Sequence, residues 1–360
     1  MTAHAARPWR LIVVAVVVLA CALGATSVAG ASEGHHDHDE HHDRHVARSA
    51  GCGKAPPPAG VSEQTLVSDG VLRHFQLTIP VGYDGKKPFP VVLGLHALTV
   101  SYEFVAPMIG FADMEKRYPF IGVAPSGRLD GTTPFWLAAP APDNYDLTFF
   151  NDLLDLLEAR LCVDTSRVYS TGMSNGAQMS SLLACRLSSR ITAVAPVAGV
   201  EFYDLCHGRP VPVIAFHGTA DPIVTYDGGG LNSIRIADID FWKGNVPPGL
   251  PTFHGVDAAM QTWARHNRCD PVPVEVRIAP EVRRRTWQHC KADTVLYIID
   301  GGGHAWPGKP VPGFEGQFGH ATTEIDATTL IFQFFSEQRI PHTHSPHAGE
   351  RGDRDDRSDD

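Results

Sequence analysis

A serine lies at the centre of a five-residue pattern that is typical of a catalytic nucleophile. Residues 172–176 read Gly-Met-Ser-Asn-Gly, which matches G-x-S-x-G with Ser174 in the middle. A β-branched and aromatic run, residues 168–171, precedes the pattern, and a helix-like stretch, residues 177–187, follows it. A strand, a tight turn and a helix in this order expose the serine hydroxyl and aim the free N–H groups of a helix N-terminus at a developing negative charge. The sequence therefore predicts that Ser174 is a nucleophile.

Two later loops carry a matching acid and base. Asp221 follows a predicted strand at residues 211–216, and His304 follows another at residues 294–299. In open α/β sheets the active groups lie on loops beyond the carboxyl ends of the strands. A serine hydroxyl becomes reactive when an imidazole takes its proton and a carboxylate holds that imidazole in the correct tautomer. The chain order Ser174, Asp221, His304 is the order of the α/β-hydrolase triad, so these three residues are the predicted catalytic set.

Other side chains compete for these roles. Asp227 and Asp300 could replace Asp221 as the acid, but Asp221 is preferred because it lies just past the end of a strand. His217 comes before the acid in the chain, and we interpret it as a structural residue near the site. His96 is interpreted in the same way, as a residue that orients a loop.

The oxyanion and pocket residues are predicted from their neighbours in the chain. The backbone N–H of Asn175 follows the nucleophile, and a second N–H would come from the turn Ala97-Leu98, after a predicted buried strand at residues 91–95. Three aromatic side chains are candidates for substrate binding, although a tryptophan in the core is the competing interpretation for the first two. They are Trp306, Trp136 and Tyr226.

The elements that must position these residues follow an alternating pattern. Apolar runs predict buried strands, and apolar stripes of helical period predict helices between them. This alternation predicts a mostly parallel sheet with helices on both faces, in one domain over residues 51–340. Residues 228–255 are rich in Gly and Pro and are predicted to form an inserted loop. The predicted strands are 71–79, 91–95, 120–124, 167–171, 191–195, 211–216 and 294–299, and the predicted helices are 102–117, 145–161, 177–187, 256–267 and 323–337.

The two ends of the chain differ from its middle. Residues 1–31 have the basic start, apolar stretch and small-residue cleavage site of a secretory signal peptide. The alternative is a lipoprotein signal that ends at Cys21 and would anchor the protein by a lipid at the cell surface. Residues 32–50 and 341–360 are rich in His and Asp and are predicted to be disordered, with weak metal binding as their one expected chemistry. Neither tract has the spacing of a closed metal site, so no metal site is predicted. The apolar stretch at residues 11–20 is too short for a membrane span, so none is predicted.

The cysteines agree with export. Six of the seven cysteines follow the predicted signal segment, and an even number in an exported chain indicates three disulfides with fifteen alternative connectivities. Buried free thiols are the competing interpretation. Short loop closure favours two of the pairs and leaves the third: Cys185–Cys206, Cys269–Cys290 and Cys52–Cys162.

The charge distribution excludes one class of partner. The formal net charge is −10, and no basic stripe runs along the chain. A nucleic-acid partner is therefore not expected.

Three blocks of this sequence resemble one known family. Residues 171–176, 217–224 and 301–308 are similar to the motifs of the secreted polyhydroxybutyrate depolymerase and feruloyl esterase family, and the resemblance extends from Gly51 to the closing helix at residues 326–335. It implies an α/β-hydrolase fold and a serine esterase that needs no cofactor, with Ser174, Asp221 and His304 matching the family's triad.

Two departures from the family pattern bear on the site. The family usually has His-Gly before its oxyanion loop, where this chain has His96-Ala97, and it often has Gly-Gly where this chain has Gly176-Ala177. Ala97 carries a Cβ that glycine lacks, so the oxyanion loop is expected to be shifted relative to that of the family.

The sequence predicts ester hydrolysis but only a broad class of ester substrates. No separate polymer-binding module is visible, which favours soluble esters of feruloyl, acetyl or short hydroxyalkanoate type, including esters on polysaccharide fragments. The alternatives are a depolymerase that acts on solid polyhydroxybutyrate, an exported metal-binding protein with an inert hydrolase fold, and a serine peptidase of the same fold.

Overall fold

The computed structural model describes residues 47–130, 133–203, 206–230, 252–313 and 315–340. The predicted signal segment with Cys21, most of the His-rich leader, the middle of the inserted loop and the His-rich tail lie outside these residues. In chain order the elements are β1 (Gly60–Ser68), β2 (Val71–Ile79), β3 (Phe89–Leu95), α1 (Tyr102–Ile109), α2 (Phe111–Met114), β4 (Ile121–Pro125), β5 (Arg128–Asp130), β6 (Thr133–Phe135), α3 (Tyr145–Arg160), β7 (Val163–Met173), α4 (Asn175–Arg186), β8 (Ala193–Val197), β9 (Val213–Gly218), β10 (Gly229–Gly230), β11 (Thr252–Phe253), α5 (Val256–His266), β12 (Val274–Ala279), β13 (Val282–Thr286), β14 (Thr294–Ile299), α6 (Glu315–Phe318) and α7 (Ala327–Glu337).

Ten of these strands form a single sheet. Their order is β1-β2-β4-β3-β7-β8-β9-β14-β13-β12. The six central strands, from β4 to β14, run parallel, and two antiparallel strands extend the sheet at each end. The predicted mostly parallel sheet is therefore confirmed, and the carboxyl ends of β7, β9 and β14 lie at the same edge.

Helices cover both faces of the sheet. On β9, Val213 and Ala215 belong to a core cluster with α3, α4 and α5, while Ile214 and Phe216 belong to a second cluster with α1, α2 and α7. Successive side chains of a strand point to opposite faces, so a strand with a core on each side must be apolar at every position. This is why the central strands are continuous apolar runs in the sequence.

Several predicted bounds differ from the structure. The predicted helix 102–117 is two helices, because Gly110 lies between them at φ 78°, a left-handed conformation that suits glycine. Between the predicted strand 120–124 and the predicted helix 145–161, where no element was predicted, the chain forms the short hairpin of β5 and β6. The hairpin of β12 and β13 lies where no strand was predicted.

The three predicted disulfides are present. They join Cys52 to Cys162, Cys185 to Cys206 and Cys269 to Cys290. Residues just before Cys52 also belong to the folded part, since the Ser49 hydroxyl donates to the Leu161 carbonyl over 2.6 Å and accepts from the Val163 N–H over 2.9 Å.

None of the helices in the described ranges is long and apolar enough to cross a membrane.

Candidate active site

Ser174 occupies the turn between β7 and α4. Its backbone has φ 56° and ψ −120°, a sparsely populated conformation for a residue with a side chain. The turn is held because the Ser174 N–H donates to the Val197 carbonyl of β8 over 3.0 Å. A Cβ at Gly176 would collide with the carbonyl oxygens of Leu95 and His96, so only glycine lets α4 begin this close to β3. The flanking glycine thus keeps the serine at the carboxyl edge of the sheet.

His304 and Asp221 meet at the same edge. His304 follows β14 and Asp221 follows β9, the neighbouring parallel strand, and His304 Nδ1 lies 2.8 Å from Asp221 Oδ2. Both side chains are buried. The other carboxylate oxygen of Asp221 accepts the N–H groups of Ile223 and Val224 over 2.8 and 2.9 Å. The carboxylate is therefore fixed while one oxygen orients the imidazole.

The surroundings of Asp221 keep it ionised. Burial on its own would raise the pKa of this carboxyl group. The nearby His304 and the hydrogen bonds from His217 and His304 outweigh burial and hold that pKa well below its usual range. An ionised Asp221 can accept from His304 Nδ1–H, and this leaves Nε2 as the nitrogen able to take a proton.

The competing acids are placed elsewhere. Asp300 forms ion pairs with Arg277 and Arg283 over 2.9 and 2.6 Å. Asp227 is exposed. Of the three candidates, Asp221 is the one that contacts His304.

The residue before Ser174 lines the same cavity as the predicted base. Met173, the residue before the serine, lines this cavity together with His304. Within the described residues no hydrogen bond joins the Ser174 hydroxyl to the His304 ring. Catalytic hydrogen bonds are often long in enzymes without substrate and shorten in the complex.

His96 holds the turn that carries the predicted oxyanion residues. Its Nε2 accepts the Gly127 N–H over 2.8 Å, so the ring proton lies on Nδ1, which donates to the Ala97 carbonyl over 2.8 Å. Burial lowers the pKa of His96 to about 4, and the ring is neutral at ordinary pH. The His96 ring thus connects the turn at Ala97 to the backbone of Gly127.

Asn175 and Trp136 continue this network. Asn175 exchanges two hydrogen bonds with the backbone of Trp136, over 2.7 and 3.0 Å. The Trp136 indole N–H donates to the His96 carbonyl over 3.0 Å, and its ring packs on Phe150 in the core. Trp136, a candidate for substrate binding, is buried behind the turn instead of lining the cavity. The side-chain role of Asn175 was missed by sequence reasoning, because its partner is 39 residues away.

The cavity beside His304 has a volume of about 250 Å³. Ala97 and Leu98, the residues of the predicted oxyanion turn, line it. Trp306 also lines it, with its indole N–H donating to the Thr328 hydroxyl over 3.1 Å. The remaining walls come from Val100, from α1 and from residues 305–321; they are Val100, Phe104, Met108, Ala305, Lys309, Val311, Glu315, Phe318, Gly319 and Ala321.

Tyr226, the third aromatic candidate, lies outside this cavity. Its hydroxyl donates to Asp257 over 2.7 Å, and its ring meets the edge of His217 at 6.0 Å between centroids.

Among the residues that the structure describes, no group of three or more His, Cys, Asp or Glu side chains could hold a metal ion.

The fold and the site together define an α/β-hydrolase. Over 266 residues the chain is 31% identical to a probable feruloyl esterase C from Aspergillus niger, covering 69% of this chain and 93% of that protein. It is 27% identical over 293 residues to feruloyl esterase D from Neurospora crassa, covering 77% and 89% of the two chains. The chain therefore belongs to the feruloyl esterase family of α/β-hydrolases, a family of ester hydrolases.

The solved structure of an acetyl xylan esterase from Aspergillus awamori is similar in fold. The TM-score is 0.51 at 14% identity, over 76% of this chain and 99% of that one. No family model matches the sequence.

Proposed function

We propose that this protein is a serine esterase that cleaves carboxylic esters through a covalent acyl-enzyme. Ser174 attacks the ester carbonyl, and His304 takes the serine proton at Nε2 and returns it to the leaving alcohol. Asp221 holds His304 in the Nδ1–H tautomer and stabilises the imidazolium. A water activated by His304 then releases the acid and frees Ser174.

One observation carries this proposal. The buried His304–Asp221 hydrogen bond of 2.8 Å lies at the same sheet edge as a serine held at φ 56° at the start of a helix. A sparsely populated backbone conformation costs stability and is typical of functional sites. A buried imidazole–carboxylate pair at the same edge is the arrangement that activates a serine hydroxyl.

The oxyanion would be bound by backbone N–H groups of the two elements that flank the serine. Asn175 N–H begins α4, and a second donor comes from the turn at Ala97 and Leu98, which His96 holds. Fixed donors are effective because they need no reorganisation when charge develops. The Cβ of Ala97 is accommodated because this residue faces the cavity.

The cavity supports an acyl group larger than acetyl. Its walls include Met108, Met173, Trp306 and Phe318, which suit a ring or a chain of methylenes. Each buried methylene contributes about 0.8 kcal/mol, so p-nitrophenyl butyrate should exceed the acetate in kcat/KM by roughly tenfold. Feruloyl esters are therefore the proposed substrates, by analogy with the names of the relatives. Short hydroxyalkanoate esters are proposed as well, because their methylene chains suit the same apolar walls.

The protein is proposed to work outside the cytoplasm. The three disulfides support this, because such bonds persist in oxidising compartments. The predicted signal segment supports it as well, and export of a reporter fused to residues 1–31 would test it.

The decisive comparison is between two serines of the same region. Ser174→Ala should lower kcat on p-nitrophenyl butyrate and methyl ferulate by about four orders of magnitude or more. Ser170→Ala is the matched control, because Ser170 is also buried and, among the described residues, its hydroxyl bonds to the Ser180 hydroxyl over 2.8 Å. Equal turnover by the two variants would overturn the proposal.

A further inference from the structure

His217 lies directly behind the proposed catalytic acid. It is the penultimate residue of β9, four residues before Asp221, and its side chain is fully buried. Its Nε2 is 2.8 Å from the Val224 carbonyl and 3.3 Å from Asp221 Oδ2. A carbonyl oxygen only accepts hydrogen bonds, so Nε2 must carry a hydrogen, which is shared between this carbonyl and the carboxylate.

The other ring nitrogen needs a partner. Nδ1 of His217 is buried and has no hydrogen-bond partner within the described ranges. An unpaired buried polar atom destabilises the folded protein, so a partner is expected for it. His217 also lines a cavity of about 10 Å³ whose other walls include Gly302, Gly303 and His320. This volume is close to the smallest that holds one water, and His320 is exposed, so solvent can reach it.

We propose that His217 is a positioning residue for Asp221 and that one water, bound in this cavity, holds its ring through Nδ1. The inference rests on the proposed use of Asp221 as the triad acid. Asp221 then receives four donors: His304 Nδ1 and His217 Nε2 on one oxygen, and the N–H groups of Ile223 and Val224 on the other. A carboxylate bound by four donors cannot rotate away from the base, and the ring of His217 keeps its orientation because both nitrogens are bonded.

Two variants of one position test this role. His217→Leu replaces the ring by an apolar side chain of similar size and so removes the donor. His217→Gln retains an N–H that can reach Asp221. Losing a hydrogen bond to a charged group costs about 1.5–3 kcal/mol, so kcat on p-nitrophenyl butyrate should fall roughly 10- to 100-fold in His217→Leu. KM should change less than about threefold, and His217→Gln should recover most of kcat.

A spectroscopic signature separates positioning from a general loss of fold. The low-field proton resonance of the His304–Asp221 hydrogen bond should shift in His217→Leu and return in His217→Gln. An unchanged resonance and unchanged kcat in a folded His217→Leu protein would overturn the inference. If that variant does not fold, the wild-type protein decides: ring nitrogen shifts must show hydrogen on Nε2 of His217, and a hydrogen on Nδ1 alone would overturn it.

The bound water has its own test in a high-resolution crystal structure of the wild-type protein. Electron density for a water within hydrogen-bonding distance of His217 Nδ1 is expected, and a site without it would overturn the water's role. These outcomes can be told apart from failure of the proposed function. If Ser174→Ala keeps full turnover, the proposed function fails, while the resonance and the water still report on His217 and Asp221.

Discussion

Lowering the pH from 7.5 to 5 should cost the folded protein about 2 kcal/mol through the buried ring of His96 alone. The pKa of His96 is about 4 in the folded protein, because burial disfavours the charged ring, and about 6.5 in an unfolded chain. Between these values only the unfolded chain binds the proton. The stabilising contribution of the neutral ring is therefore complete above pH 6.5 and is lost as the pH falls towards 4, at up to about 1.4 kcal/mol per pH unit.

The structure gives the reason for this cost. His96 Nε2 must keep its lone pair to accept the Gly127 N–H, and a proton there would place two donors against each other. The ring is fully buried, so solvent does not screen the charge.

The assay is guanidinium unfolding with the disulfides intact, at several pH values from 7.5 to 5. Because other groups also titrate, the informative quantity is the difference in unfolding free energy between the wild-type protein and His96→Gln, which has no ring to protonate. This difference should shrink by about 2 kcal/mol across the range. His74→Gln, which replaces an exposed ring on β2, controls for the substitution. Parallel pH profiles for wild type and His96→Gln would refute the reasoning.

Three further substitutions test the packing around the site. Trp136→Phe removes an indole N–H that donates to a buried carbonyl, so the unfolding free energy should fall by about 2 kcal/mol in denaturant titration; an unchanged midpoint would contradict this. Gly303→Ala would drive a Cβ into the backbone of residues 318–319 next to the proposed base, and we expect a stability loss of at least about 1–3 kcal/mol with a lower kcat. Full activity at wild-type stability would show that the loop has more room than the structure gives it. Replacing Cys52 and Cys162 together by Ser opens a loop of 110 residues and should cost about 5 kcal/mol, measured against reduced and oxidised wild type.

Much of the fold could be predicted because apolar patterning and burial agree in the central strands. β2 and β14 have the predicted bounds, and the loops after β9 and β14 could be assigned to one edge because parallel neighbours end together. The hairpin of β12 and β13 could not be predicted from burial. β12 alternates apolar with charged residues but is exposed along nearly its whole length, and β13 carries successive arginines. Neither strand therefore has the apolar run that marks a buried strand. It is a strand because β14 offers β13 a free edge, which is a tertiary effect.

The same distinction applies to the site. Ser174 lies in a local motif, and the proposed acid and base follow strand ends, so sequence order indicated all three. The Asn175–Trp136 pair and the His96–Gly127 bond join residues 39 and 31 positions apart, so no local sequence pattern predicts them. The contacts of buried polar groups depend on which loops the fold brings together.

Covalent labelling by a fluorophosphonate that targets activated serines tests the central claim most directly. Peptide mass spectrometry of the labelled native protein should find one adduct, on Ser174, whose formation stops in Ser174→Ala, persists in Ser170→Ala and slows when p-nitrophenyl butyrate competes. Ester hydrolysis by a protein that is labelled at another serine, or at none, would contradict the account.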